Sequence, residues 1–218
     1  MVWQALLSRL GRLWPARYRP VGTSKAKARP WAKMWSPWGE IRSPGPRFRE
    51  GWTEKDFLLE QRIVMLRGMI THDLAVEVIM QLLYLQHEDA QGPLTLRIES
   101  HGGEFPTGLA IVDAMRALSP PIHTEATIAN GMAAVILAAG RKGQRVISPD
   151  TFISLVPLRS GDAAAPASDL ERAQHALAEV IAELSGQPLE VVSNDLSAGR
   201  YLTADQAIEY GLADRIGI

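Results

Sequence analysis

Apolar and polar residues alternate with a period of two through Leu94-Thr-Leu-Arg-Ile, which predicts a strand. Upstream, residues 62–66 (Arg-Ile-Val-Met-Leu) predict another strand, followed by a turn at Gly68. The period then changes to helical. Ala75, Val78, Ile79, Leu82, Leu83 and Leu85 lie on one stripe of a helix over 72–87, with Thr71 as its N-cap. Gly102-Gly103 predicts a sharp turn. The next helix buries Leu109, Ile111, Val112, Met115 and Leu118 and stops at Pro120-Pro121. Residues 122–128 read as a strand, 132–139 as a buried helix, and 145–148 and 152–156 as strands. A helix over 168–184 places Leu170, Leu177, Val180, Ile181 and Leu184 inward, and helical turns follow at 188–195 and 204–211. Strand and helix alternate, which predicts an α/β domain over residues 52–218 with a mostly parallel sheet. No internal repeat is present.

Residues 1–51 form a different region. Trp3, Leu6, Leu7, Leu10, Leu13 and Trp14 fall at helical spacing with Arg9 and Arg12 between them, a short basic amphipathic helix. From Pro15 to Pro46 prolines recur too often for a long regular element. Residues 1–50 hold eleven Lys/Arg and two acids, whereas the remainder holds twelve bases and twenty-two acids. A basic Pro/Trp-rich arm is therefore joined to an acidic domain. Three readings of the arm stay open: a retained flexible tail, an organelle transit sequence, or a start set too early, with Met34 a later start. Interleaved Trp and basic residues also suit single-stranded nucleic acid. A solvated tail is the simpler reading, and no nucleic-acid partner is expected.

There is no cysteine, so thiol nucleophiles, disulfides and cysteine-ligated zinc are excluded. No apolar run reaches the roughly 18 residues of a membrane-spanning helix. No two histidines have metal-ligand spacing, so no metal is expected. His123 and His175 read as exposed or hydrogen-bonded imidazoles on a strand and a helix.

Several segments carry a resemblance, in a fixed order along the chain. They are Leu82-Leu-Tyr-Leu-Gln-His-Glu-Asp, Arg97-Ile-Glu-Ser-His-Gly-Gly, Gly108-Leu-Ala-Ile-Val-Asp-Ala-Met, Thr127-Ile-Ala-Asn-Gly-Met followed by Ala139-Gly-Arg-Lys-Gly, Ser185-Gly-Gln-Pro-Leu-Glu, and Leu202-Thr-Ala-Asp-Gln-Ala-Ile-Glu-Tyr-Gly-Leu-Ala-Asp. Over residues 57–216 the chain resembles the ClpP family of self-compartmentalising serine peptidases (family S14), which share the ClpP/crotonase-like fold. The resemblance implies a subunit of a heptameric ring, with catalysis by a Ser-His-Asp triad.

The residues at the implied triad positions cannot form one. Gly131 stands at the serine, Leu155 at the histidine and Gly199 at the aspartate. The implied oxyanion donors are backbone amides, at Gly103 and Met132, and these survive any side-chain change. Loss of Ser or His alone costs about 10^6-fold in a comparable triad. The resemblance thus implies a degenerate, ClpR-like member without catalysis of its own. Ser100 beside His101 is the nearest substitute pair, but adjacent residues tend to point apart; Ser154 reads as packing. The helix at 168–184 matches the family's handle but is about seven residues shorter, or ~10 Å of helix. Thr95, Arg97, Ala117 and Thr124 occupy the outward positions where relatives receive an ATPase, and they offer little apolar surface.

The expected partners are ClpP-type subunits, in a homo- or hetero-oligomer, with an AAA+ ATPase associated indirectly. No cofactor is expected. The expected location is the bacterial cytoplasm, or an organelle stroma or matrix if the arm is a transit sequence. Two other functions stay open: an active serine-type endopeptidase using unconventional residues, and a crotonase-like protein holding an acyl or carbonyl ligand.

Overall fold

The computed structural model describes residues 53–159 and 167–217, all within one compact unit spanning Phe48–Ile218. The amphipathic helix and Pro-rich arm expected over residues 1–51 lie outside the described residues, as do residues 160–166.

The elements in chain order are α1 (Glu54–Glu60), β1 (Ile63–Arg67), α2 (His72–Glu88), β2 (Leu94–Ser100), α3 (Phe105–Ala117), β3 (Ile122–Asn130), α4 (Met132–Ala138), β4 (Arg145–Ile147), β5 (Ile153–Leu155), α5 (Ala167–Ser185), α6 (Leu189–Ala198), β6 (Arg200–Leu202), α7 (Ala204–Tyr210) and β7 (Arg215–Ile216). The sheet runs β1-β2-β3-β4-β7, every neighbouring pair parallel. β5 joins it alongside β3, also parallel, and β6 adds to β5 antiparallel. The expected mixed α/β fold with a mainly parallel sheet flanked by helices is the fold observed.

Local chemistry explains most boundaries. The Thr71 hydroxyl accepts from the Leu74 amide and starts α2 where expected. β1 starts one residue late because Arg62 sits at φ 60°, outside the strand region. Its guanidinium donates to four carbonyls, those of Leu85, Asp89, Gly92 and Pro93. That tethers the start of β1 to the end of α2. α1 was not expected; a reciprocal capping box between Thr53 and Asp56 begins it.

The core-facing stripes are narrower than the apolar pattern suggested. α3 buries Gly108, Ile111, Val112 and Met115, while Leu109 and Leu118 are only half-buried. α2 buries Ala75, Val78, Leu82 and Leu85 and leaves Ile79 and Leu83 half-buried. α4 is buried on every side, which suits its unbroken apolar sequence.

β3 is the branch point of the sheet. Thr124–Ala126 pair with β4, whereas Ala129 and Asn130 pair with β5. A bulge marks the fork: Ile98 pairs with Ala126, but Glu99 pairs with Ile128, so Thr127 is extra. The Thr151 hydroxyl donates at the fork, to the carbonyls of Ala126 and Thr127 (3.1 and 3.2 Å). The divergence of β4 and β5 opens the sheet where β3 meets α4.

Candidate functional site

The strand β3 ends at Asn130, and the helix α4 starts at Met132. The single residue between them, Gly131, turns the chain at φ 53°, ψ −122°. Residues with a Cβ rarely adopt this conformation, and holding one there stores about 1–3 kcal/mol. Such a sharp strand-to-helix elbow is how several hydrolases lift a nucleophile out of a sheet. The elbow is fixed from two sides. The Gly131 amide donates to the Ser154 carbonyl on β5 (2.9 Å), and the Ala134 amide donates to the Gly131 carbonyl (3.0 Å). A Cβ at residue 131 would meet only the Val156 Cγ2, at an ordinary 3.5 Å. The elbow has the backbone and the space for a side chain, but carries none.

The turn at Gly102-Gly103 packs against this elbow. The Ile70 amide donates to the Gly102 carbonyl (2.8 Å), and the Glu104 amide donates to the Ile70 carbonyl (3.2 Å). A Cβ at Gly103 would lie 2.3 Å from the Ile70 carbonyl oxygen, so no other residue fits without backbone movement. Met132 is the first residue of α4, so its amide has no acceptor within the helix. Gly103, Gly131, Met132 and Leu155 line one open cavity of about 650 Å³. The cavity thus gathers both implied oxyanion donors and two of the implied triad positions. Gly199 is not in its wall; it forms the left-handed C-cap of α6, and only the neighbouring Leu196 reaches the cavity.

The walls are largely apolar: Met69, Ile70, Val135, Val156, Leu158 and Leu177 contribute, and His101, Glu104, Arg159 and Asp169 supply its ionisable groups. The substitute pair is separated by its bonding. Ser100 is buried; its hydroxyl donates to the Gly68 carbonyl (2.6 Å) and accepts from the Gly102 amide (3.1 Å). His101 is exposed, with Nδ1 3.3 Å from Asn130 Nδ2. The Ser100 hydroxyl is therefore held by backbone, away from any base.

Two sequence-derived positions need correction. Leu155, the last residue of β5, is buried in the cavity wall and does not approach the position that a side chain at 131 would take. The residue that faces the empty position at Gly131 is Val156. In a strand, a slip of one residue moves a side chain to the other face. Val156 has no proton acceptor, as Leu155 has none, so the chemistry expected there is unchanged.

Thr124 is not outward-facing. It is fully buried between β3 and α4, its hydroxyl donating to the Leu137 carbonyl (2.8 Å). Gly140 packs so close that a Cβ there would meet the Thr124 Oγ1 at 2.3 Å. Register puts His123 beside Thr95 and Glu125 beside Arg97 on the other face. The Arg97 guanidinium donates twice to Glu125 Oε2 (3.0 and 2.8 Å), so these two strands present a charged pair there. Ala117 is exposed at the last position of α3.

Around Gly199, the carboxylate of Asp195 accepts from Arg200 (2.9 Å) and from the Tyr210 hydroxyl (3.0 Å). Burial first, and the adjacent Asp195 second, push the Tyr210 hydroxyl well above the usual tyrosine range. Asp195 is thus bound to Arg200 and Tyr210, both outside the cavity wall.

Residues 50–218 match the family model described as Clp protease. Over 167 residues the chain is 38% identical to the ATP-dependent Clp protease proteolytic subunit of Dehalococcoides mccartyi; the aligned region covers 73% of this chain and 83% of that one.

Proposed function

Because the chain belongs to the Clp protease family, we propose that it serves as a non-catalytic, ClpR-like subunit of a Clp-type peptidase ring. One observation carries this reading. The elbow at Gly131 keeps the backbone that presents a nucleophile, yet residues 131, 156 and 199 are Gly, Val and Gly. None can donate, accept or hold a proton through its side chain. The amides of Gly103 and Met132 could still polarise a carbonyl. Without a nucleophile and base, that leaves about 10^3–10^4-fold over water, which is negligible for a peptide bond.

The chain shapes a chamber wall in this reading, and active neighbours supply hydrolysis. The ATPase associates with the assembly mainly through those neighbours. An apolar anchor gains most where it fills a dry pocket, whereas Thr95, Arg97, His123 and Glu125 present polar groups. The short handle α5 alters how two rings would stack.

Co-expression with a catalytic Clp subunit from the same source, followed by pull-down and native mass measurement, tests the proposal. Mixed rings are the expected product. A chain that stays monomeric beside assembled catalytic rings would sink it.

A further inference from the structure

The glycine that empties the elbow also creates an Asn130-Gly131 step, at the turn from β3 into α4. We propose that Asn130 is a site of spontaneous deamidation, which converts the elbow slowly and irreversibly into an acidic one. The reaction needs only water. The Gly131 amide nitrogen loses its proton to base and attacks the Asn130 side-chain carbonyl carbon. A nitrogen–carbon bond forms, the carbon–Nδ2 bond breaks, and the nitrogen leaves as ammonia. Water then opens the cyclic imide at either carbonyl, giving aspartate or isoaspartate at 130. Glycine favours the step because no Cβ shields the attacking nitrogen. The leaving Nδ2 lies 3.3 Å from His101 Nδ1, which is placed to exchange a proton with it.

The fold sets the rate. Asn130 is the last residue of β3, and the attacking amide is held by the Ser154 carbonyl at 2.9 Å. Ring closure requires this bond to break and Asn130 to leave its extended conformation. Only two residue pairs, Ala129 with Ile153 and Asn130 with Ser154, join β3 to β5, so the opening needed is small. Such openings occur well below the cost of global unfolding. An aspartate product puts a carboxylate next to His101, at the edge of an apolar cavity. An isoaspartate product inserts a methylene between the residue-130 Cα and the peptide bond to Gly131, which shifts Gly131 and Met132 together relative to Gly103 and spoils the oxyanion geometry.

The chain supplies its own control, because its one other asparagine, Asn194, lies within the helix α6 before Asp195. The test ages the full-length folded protein at mildly alkaline pH and reads both sites by peptide mass mapping that separates aspartate from isoaspartate. Expected is conversion at 130 several-fold faster than at 194, with base acceleration, and a several-fold loss of that rate in Gly131→Ala. If that variant does not fold, Asn194→Gln leaves Asn130 as the chain's one asparagine, and its conversion by mass mapping should persist at the wild-type rate. An amide retained at 130 in the native protein, over a period in which the denatured chain converts, overturns the proposal.

Discussion

Replacing Gly131 with serine restores a hydroxyl to the elbow and separates what the backbone supplies from what the side chains supply. The stability change follows from two terms. Holding a residue with a Cβ at φ 53°, ψ −122° costs about 1–3 kcal/mol. Reduced freedom of the unfolded chain returns about 0.4–1 kcal/mol. Steric cost is small, since the new Cβ would lie 3.5 Å from the nearest atom, Val156 Cγ2. The net effect runs from about zero to a loss of about 2.6 kcal/mol, at most about 10 °C in Tm for a domain of this size. The new hydroxyl stays unreactive, because its neighbour Val156 cannot take its proton. Thermal unfolding and labelling with a serine-directed phosphonate read the two effects. Gly131→Ser should fold with no more than that loss and resist labelling. Adding Val156→His should bring labelling at position 131, whereas adding Leu155→His should instead destabilise the buried face of β5. Labelling of Gly131→Ser by itself would reveal a base that the geometry does not contain. Labelling that appears with Leu155→His and not with Val156→His would refute the assignment of Val156 as the residue facing the elbow.

Three further outcomes are expected. Gly103→Ala places a Cβ within 2.3 Å of the Ile70 carbonyl oxygen, and the resulting backbone shift should cost about 1–3 kcal/mol in denaturant unfolding; an unchanged midpoint would contradict the close packing of that turn. Asp214→Asn breaks the pair with Arg145, whose side chains are 19% and 5% exposed, and should cost about 3–5 kcal/mol by leaving the guanidinium buried without its counter-ion. Burial pushes the Asp214 carboxyl up, but bonds from the Arg145 guanidinium and the Arg145 and Gly143 amides outweigh it and hold the group below its ordinary value. The pair therefore stabilises the fold fully above the ordinary carboxylate range, and the contribution fades as pH falls through the lowered folded value; unfolding of wild type and Asp214→Asn should converge there. Arg97→Ala removes a half-exposed ion pair with Glu125 and should change stability by no more than about 1 kcal/mol; a larger loss would mark that face as structurally required.

The long elements were legible because each combines a period with a terminus. β2 alternates over its whole length, and Thr71 caps an apolar stripe of about three turns. Of the three-residue strands, β4 and β5 fall within the expected 145–148 and 152–156, but β6 was not expected. β6 is too short to show a period, and only its pairing with β5 defines it. α1 has no extended apolar stripe, so the Thr53/Asp56 box was its one signal. The errors at the site have a different origin. Thr124 and Leu155 took their roles from the resemblance, on strands that the pattern places, and each differs by one residue from the side chain on the intended face. That slip matters in a strand, where facing reverses at every residue. The elbow was not misplaced, because a glycine in a positive-φ turn between a strand and a buried helix has no neighbour that could replace it. The link between Gly131 and Asn130 chemistry was visible as a dipeptide, but the hydrogen bond that controls it was not.

The proposed role is tested most directly by titrating serine nucleophiles within assembled particles. Rings formed by this chain with a catalytic Clp subunit would be treated with excess phosphonate and weighed intact, then subunit by subunit. Each catalytic subunit should gain one adduct, this chain none, and peptide hydrolysis per ring should fall in proportion to the catalytic subunits it displaces. A phosphonate adduct on this chain, or hydrolysis by particles containing no other subunit, would contradict a non-catalytic role.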